Sequence, residues 1–188
     1  MQKIIDGDVK LQNLYLRNLP DSLLDVKIMG MFDCRWNDLI SLENAPNIRD
    51  DSFFYCGANK LTNLIGIPLN FGKQCTFNCS YNELTSLEGA PTDVWSFDCS
   101  SNKLINLEHA PKIVAGDFFC VANRLESLKG APDTVNGCFM CLDNPLISLE
   151  GIPKKIGKKL YISRELQNAF PEEYILSLSD IGDGVFYW

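Results

Sequence analysis

Apolar and polar positions return along this chain with a fixed rhythm. Phe-x-Cys-x-x-Asn-x-Leu-x-x-Leu occurs six times. The phenylalanines are Phe32, Phe54, Phe77, Phe97, Phe118 and Phe139, each followed two places on by Cys34, Cys56, Cys79, Cys99, Cys120 and Cys141. Asn37, Asn59, Asn82, Asn102, Asn123 and Asn144 come next, then paired leucines from Leu39/Leu42 to Leu146/Leu149, and a proline four residues later, from Pro46 to Pro153. The Cys-to-Cys steps are 22, 23, 20, 21 and 21 residues. Phe and Cys alternate with variable residues, so the pattern predicts a short strand with one buried side. Cys suits a narrow apolar slot, because a free thiol behaves as a small hydrophobe. Asn suits the exit from the strand, where its amide satisfies buried backbone groups and bonds coil to coil. The leucines close the core from the far side. Gly-Ala-Pro and its variants refuse helix, predicting a polyproline-like or irregular return.

The motif resembles the leucine-rich-repeat family, whose core reads L-x-x-L-x-L-x-x-N/C-x-L, with Phe in the second aliphatic place and Cys in the third. The match covers residues 30–157. Its short, proline-bearing repeat is similar to bacterial and bacteriophage members. The resemblance implies a mainly β fold: a right-handed solenoid with a curved parallel sheet, a helix-poor convex side and an irregular or short-helix C-terminal cap.

One domain is expected over 1–188, because solenoid coils contact only their neighbours and need caps at both ends. Residues 1–29 read as a cap and degenerate coil, with Leu14-Tyr15-Leu16 as an imperfect strand. Residues 158–188 read as a last coil and cap, with Leu160-Tyr161-Ile162 in the Phe-x-Cys slot and a short helix between Arg164 and Ser179. The aromatic tail Val185-Phe186-Tyr187-Trp188 reads as packing onto the last coil, with a partner or self-association contact as the alternative.

Residues flanking Phe and Cys point away from the core and form columns about 4.8 Å apart. The middle of the face is small and polar: Asn78, Ser80, Asp98 and Ser100. Late repeats set Phe119, Val121, Met140 and Leu142 side by side, and early ones carry Arg35, Trp36, Phe53 and Tyr55. Exposed apolar clusters and aromatic, Met and Arg side chains mark interfaces, so the late patch is the first candidate site and the early one the second. The competing reading is that the C-terminal segment folds over the late patch.

Catalytic chemistry is not visible. Cys138-x-x-Cys141 and Cys75-x-x-x-Cys79 have zinc-like spacing, but Cys79 and Cys141 stand three coils apart and cannot share a tetrahedral metal. Buried free thiols, rather than disulfides or a metal, fit a reducing compartment. His109, the single histidine, replaces the repeat glycine on the convex return and has no nucleophile to serve. Asp33, Asp98 and Asp117 lie on the strand face, and Asp98 and Asp117 belong to neighbouring coils, which leaves acid–base or Ca²⁺ chemistry formally open. Solvated or partner-facing charge is the simpler reading.

The net charge of -7 argues against direct nucleic-acid binding. No apolar run is long enough for a membrane span, and MQKIIDGDVK has no signal-peptide h-region. These readings favour a non-catalytic protein-binding module without cofactor, cytoplasmic, with self-association through sheet edges or the tail as an option. The resemblance to bacteriophage proteins implies a host protein as the target of inhibition or modulation, in the host cytoplasm. Two alternatives stand beside it. One is an acidic nucleic-acid mimic, which needs a regular row of carboxylates. The other is the substrate-recognition part of a bacterial effector enzyme whose catalytic domain lies elsewhere.

Overall fold

The computed structural model describes residues 2–68 and 71–188. They form a parallel β-solenoid of about nine turns. Each coil contributes to two parallel ladders. The main ladder carries the Phe positions, in register from Val9 through Phe32, Phe54, Phe77, Phe97, Phe118, Phe139 and Leu160 to Val185. We number the coils 1 to 9 by these nine residues.

The second ladder lies on the return, just before the first. It runs through Lys3–Ile5, Val26–Ile28 and Asn47–Ile48 in coils 1 to 3, then from Cys75 and Val94 to Val114, Val135, Ile156 and Ile181 in the rest. The return is therefore not simply irregular, as the prolines suggested. The β-branched residues that follow the proline turn inward and pair coil to coil, so Ile28, Ile48, Val94, Val114, Val135 and Ile156 are buried.

Between the ladders lies the core. Five successive Phe pairs have ring centroids 5.1, 5.1, 5.6, 5.7 and 5.3 Å apart, the last four nearly parallel. The offset stack follows from identical side chains repeated at the strand spacing. The cysteines form a second buried column. Each backbone N–H and each thiol donates to the same carbonyl of the next coil: Cys120 N and Sγ both reach Met140 O, at 2.9 and 3.3 Å. A carbonyl has two lone pairs, so one oxygen serves both donors. Valine would pack there but could not donate, which gives Cys a reason beyond its size.

The Asn column binds coils in the same way. Asn102 Nδ2 donates to Cys99 O in its own coil and Cys79 O in the previous one, while its Oδ1 accepts from Leu84 N. All six repeat asparagines follow this scheme, with Leu11 O standing in for Cys at the first. The residue before each Asn is left-handed: Trp36, Ala58, Tyr81, Ser101, Ala122 and Asp143 have φ between 53° and 59°. The amide ring of bonds holds this tight turn against its steric cost.

The first of the two ends corrects an expectation. The coil 1 strand is Val9–Lys10, paired with Phe32–Asp33, and Leu14-Tyr15-Leu16 lies in the turn beyond it, with Tyr15 exposed. A β-branched Val fills the Phe slot, so the Phe-based pattern passes over it. At the other end, Leu160–Ile162 does occupy the repeat slot, and Glu172–Leu178 is the short helix, here α1. The tail packs onto the coil of Leu160–Ile162, as expected, and does not fold over the late patch. Val185–Tyr187 becomes the outermost strand, paired with Leu160–Ile162. Val185 and Tyr187 point inward, Tyr187 Oη donating to Phe170 O at 2.6 Å, and Phe186 and Trp188 are exposed.

Candidate functional site

The strand face is a ribbon of outward side chains whose identity changes along the solenoid. Phe119, Met140, Tyr161 and Phe186 are direct neighbours in register. The first three are half-buried and Phe186 is exposed. Val121 and Leu142, also half-buried, stand two places further along their strands. Tyr161 and Phe186 rings lie 5.4 Å apart, Phe186 and Trp188 5.9 Å, and Lys159 Nζ sits 5.9 Å from the Phe186 ring. The late patch expected from sequence thus continues for two more coils. The repeat pattern alone does not single out Tyr161, Phe186 and Trp188. The signal was the strand alternation of the tail itself, inward Val185 and Tyr187 against outward Phe186 and Trp188.

The early patch is organised by charge. Asp33 was expected as a solvated carboxylate on the face, and it is instead buried, 1% exposed. Arg35 grips it with Nε at 3.0 Å and Nη2 at 2.6 Å, Arg35 N donates to it at 3.1 Å, and Gln12 Nε2 also donates. The residue pair is two apart on one strand, so a two-residue fork closes over the carboxylate. Hydrogen bonding to Asp33 pushes the Arg35 guanidinium further up. The same guanidinium lies 4.7 Å above the Tyr55 ring, and Tyr55 leans on Phe53 at 5.8 Å. Burial raises the Tyr55 hydroxyl, with Arg35 opposing. Trp36, 62% exposed, is thrown outward by the left-handed turn rather than lying in the strand row.

Between the patches, side chains bind each other. Asn78 Nδ2 donates to Asp98 Oδ2 at 2.8 Å, Ser100 N donates to Asp98 Oδ1 at 3.0 Å, and Ser80 Oγ donates to Asn78 Oδ1 at 2.8 Å. Asp117 faces away from Asp98 and accepts from Cys138 N at 2.7 Å. The structure does not bring the two carboxylates into one group. From Tyr55 to Phe119 is three strand steps, about 14 Å at the usual spacing, so early and late patches are separate areas of one face.

The thiols are placed for packing. Burial raises Cys34, Cys56, Cys75, Cys79, Cys99, Cys120 and Cys141, with Cys75 and Cys141 pushed up to about 12. A protonated, desolvated thiol is a poor nucleophile and a poor ligand. Among the described residues no group of three His, Cys, Asp or Glu side chains is set to hold a metal, and no helix is long and apolar enough to cross a membrane. His109 is exposed at φ 68°, in the slot filled by Asn44 in coil 2 and by glycine in coils 3, 4, 6 and 7. Comparison with protein-family models, curated proteins and solved structures finds no match.

Proposed function

We propose that this chain is a non-catalytic, leucine-rich-repeat-type module, coiled right-handedly, that grips a partner protein on its strand face. The observation that carries the reading is the row Phe119, Met140, Tyr161, Phe186: four large apolar side chains in register, on a face that is polar in coils 4 and 5. A rigid sheet loses little entropy on docking, and aromatic and Met side chains are what interface centres use. The resemblance to bacteriophage proteins suggests a host protein as the target, inhibited or redirected in the cytoplasm, and a column of free buried thiols suits a reducing compartment. The acidic-mimic alternative fits less well, because Asp33 is neutralised by Arg35 and the remaining face carboxylates form no regular row. A detached effector module is the third reading, and no residue on the face favours it.

The test is quantitative capture from the native cell with wild type and with Phe119→Asp/Met140→Lys. Both positions are half-buried face residues, so the double variant is expected to keep its circular-dichroism spectrum while losing at least ten-fold of one specific captured protein. Equal capture by the folded variant overturns the late-patch reading.

A further inference from the structure

The corner between the two ladders is uniform except in one place. The inward return residue and the inward strand residue stand four apart in coils 1, 2, 6, 7, 8 and 9, as in Val114/Phe118 and Ile156/Leu160. In coil 3 the spacing is six, Ile48 to Phe54. In coils 4 and 5 the paired residues are Cys75/Phe77 and Val94/Phe97, only two and three apart, and strand runs unbroken through the corner over Cys75–Asn78 and Asp93–Asp98. The register shifts between Cys75 and Thr76, opposite the extra residue Trp95. Bulges of this kind re-aim a side chain. Here the shift pushes out an indole that is 52% exposed.

A cleft of about 280 Å³ results, lined by Asp51, Ser52, Phe53, Gln74, Thr76 and Trp95. Phe53, Thr76 and Ser96 are in register, so the strands bearing Phe53 and Trp95 lie two steps apart, about 10 Å. Phe53 and Trp95 thus line the cleft from the two outer strands, with Thr76 on the strand between them. Asp51 stands at the edge, and among the described residues no cation lies within ion-pair distance of it.

The neighbouring coil shows what such a set does when complete. Asp33, Arg35 and Tyr55 form a carboxylate, a cation and an aromatic face in contact. Asp51, Phe53 and Trp95 repeat the carboxylate and double the aromatic part, and lack only the cation. We propose that the Phe53–Trp95 cleft is a binding site for an organic cation, an alkylammonium or guanidinium head group. The ring faces attract the charge through their quadrupoles and Asp51 balances it. The site lies on the corner, away from the late patch, and does not depend on that patch being an interface. Gly116 leaves room for the indole: a Cβ there would fall 2.9 Å from Trp95 Nε1 and 2.6 Å from Ser96 Oγ.

The test follows the Trp95 indole N–H and the Thr76 amide by NMR in the full chain. The probes are choline, its neutral isostere 3,3-dimethylbutan-1-ol, and acetylated trimethyl-lysine amide. Choline or the lysine derivative is expected to bind saturably and about ten-fold or more tighter than the isostere, since a desolvated cation–π contact is worth about that factor. The tighter of the two identifies a free amine or a protein side chain as the source. Asp51→Asn is expected to weaken the cation several-fold and leave the isostere unchanged. Trp95→Ala, at an exposed position, is expected to abolish the Thr76 shift while the remaining spectrum persists. Equal binding of cation and isostere, or cation-induced shifts at Trp36 or Trp188 but not at Trp95 and Thr76, overturns the proposal.

Discussion

In coils 6 and 7 every slot holds what the repeat prescribes on the strand side, with the inward residues four apart at each corner; in coils 3, 4 and 5 they stand six, two and three apart. Yet the buried columns pass through both regions without a break. Phe77–Phe97 and Phe118–Phe139 stack at 5.6 and 5.3 Å, and both Asn sets keep the same bonds. The Phe, Cys and Asn columns set the pitch of the solenoid, and the corner is free to vary. Variation confined to a corner, where it opens a cleft between exposed rings, separates what the fold requires from what it carries.

If the columns bind both regions into one unit, dissolving them chemically dissolves both together. An ordinary thiol ionises near pH 9, and burial holds seven thiols above that value, Cys75 and Cys141 at about 12. The folded value lies above the unfolded one. This stability is therefore complete below pH 9 and lost as pH rises towards 12. Each thiol that ionises only in the unfolded chain costs about 1.4 kcal/mol per pH unit. Seven together exceed a typical stability of about 5–15 kcal/mol within about two units. Cooperative unfolding is expected between about pH 9 and 11, followed by circular dichroism and by hydrogen exchange resolved along the chain. Exchange that opens coils 3–5 first, while coils 6–8 stay protected, would break the comparison.

The columns were legible in the sequence because each is one residue type at one place in a near-constant period. The Phe, Cys, Asn and Leu assignments needed only alternation and spacing. The return ladder was hidden because its residues, Ile28, Cys75 and Val94 among them, share no single identity, and because proline nearby argued for irregular chain. The coil 1 strand was missed for a related reason, with Val9 and Leu11 in place of Phe and Cys. Asp33 could not be placed from sequence, since its burial depends on Arg35 and Gln12 closing over it. The outward row was readable as far as Met140. Its extension to Phe186 required knowing that the tail pairs as a strand.

A smaller perturbation compares the regions residue by residue. Asn82→Ala in coil 4 leaves Leu61 N without its acceptor and takes one of two asparagine donors from Cys56 O and Cys79 O, and Asn123→Ala in coil 6 does the same to Leu104 N, Cys99 O and Cys120 O. The orphaned amide N–H is buried, so each variant is expected to lose about 2 kcal/mol in urea unfolding. Equal losses support a common framework. A loss under about 1 kcal/mol at Asn82 alone would mean that coil 4 is held by its corner instead.

The smallest test sits on the boundary, in the turn before Ala-Pro. Coil 6 has Gly130 there at φ 90°, and an added Cβ would fall 2.3 Å from Glu108 N and 2.5 Å from Leu107 C. Both contacts are backbone and cannot swing aside, so Gly130→Ala is expected to cost about 2 kcal/mol through strain and clash. Coil 5 has His109 at φ 68°, which tolerates a side chain at the steric cost of a left-handed residue. His109→Gly removes that cost but gives the unfolded chain more freedom. A net gain of up to about 1 kcal/mol is expected, read as a raised urea midpoint at constant slope. Opposite signs for these two opposite substitutions would show that both coils want glycine in this turn, so that coil 5 keeps the framework there and departs from it only at the corner. A loss at His109→Gly would instead mean that the imidazole makes a stabilising contact in coil 5, and the irregular region would then extend around the whole coil.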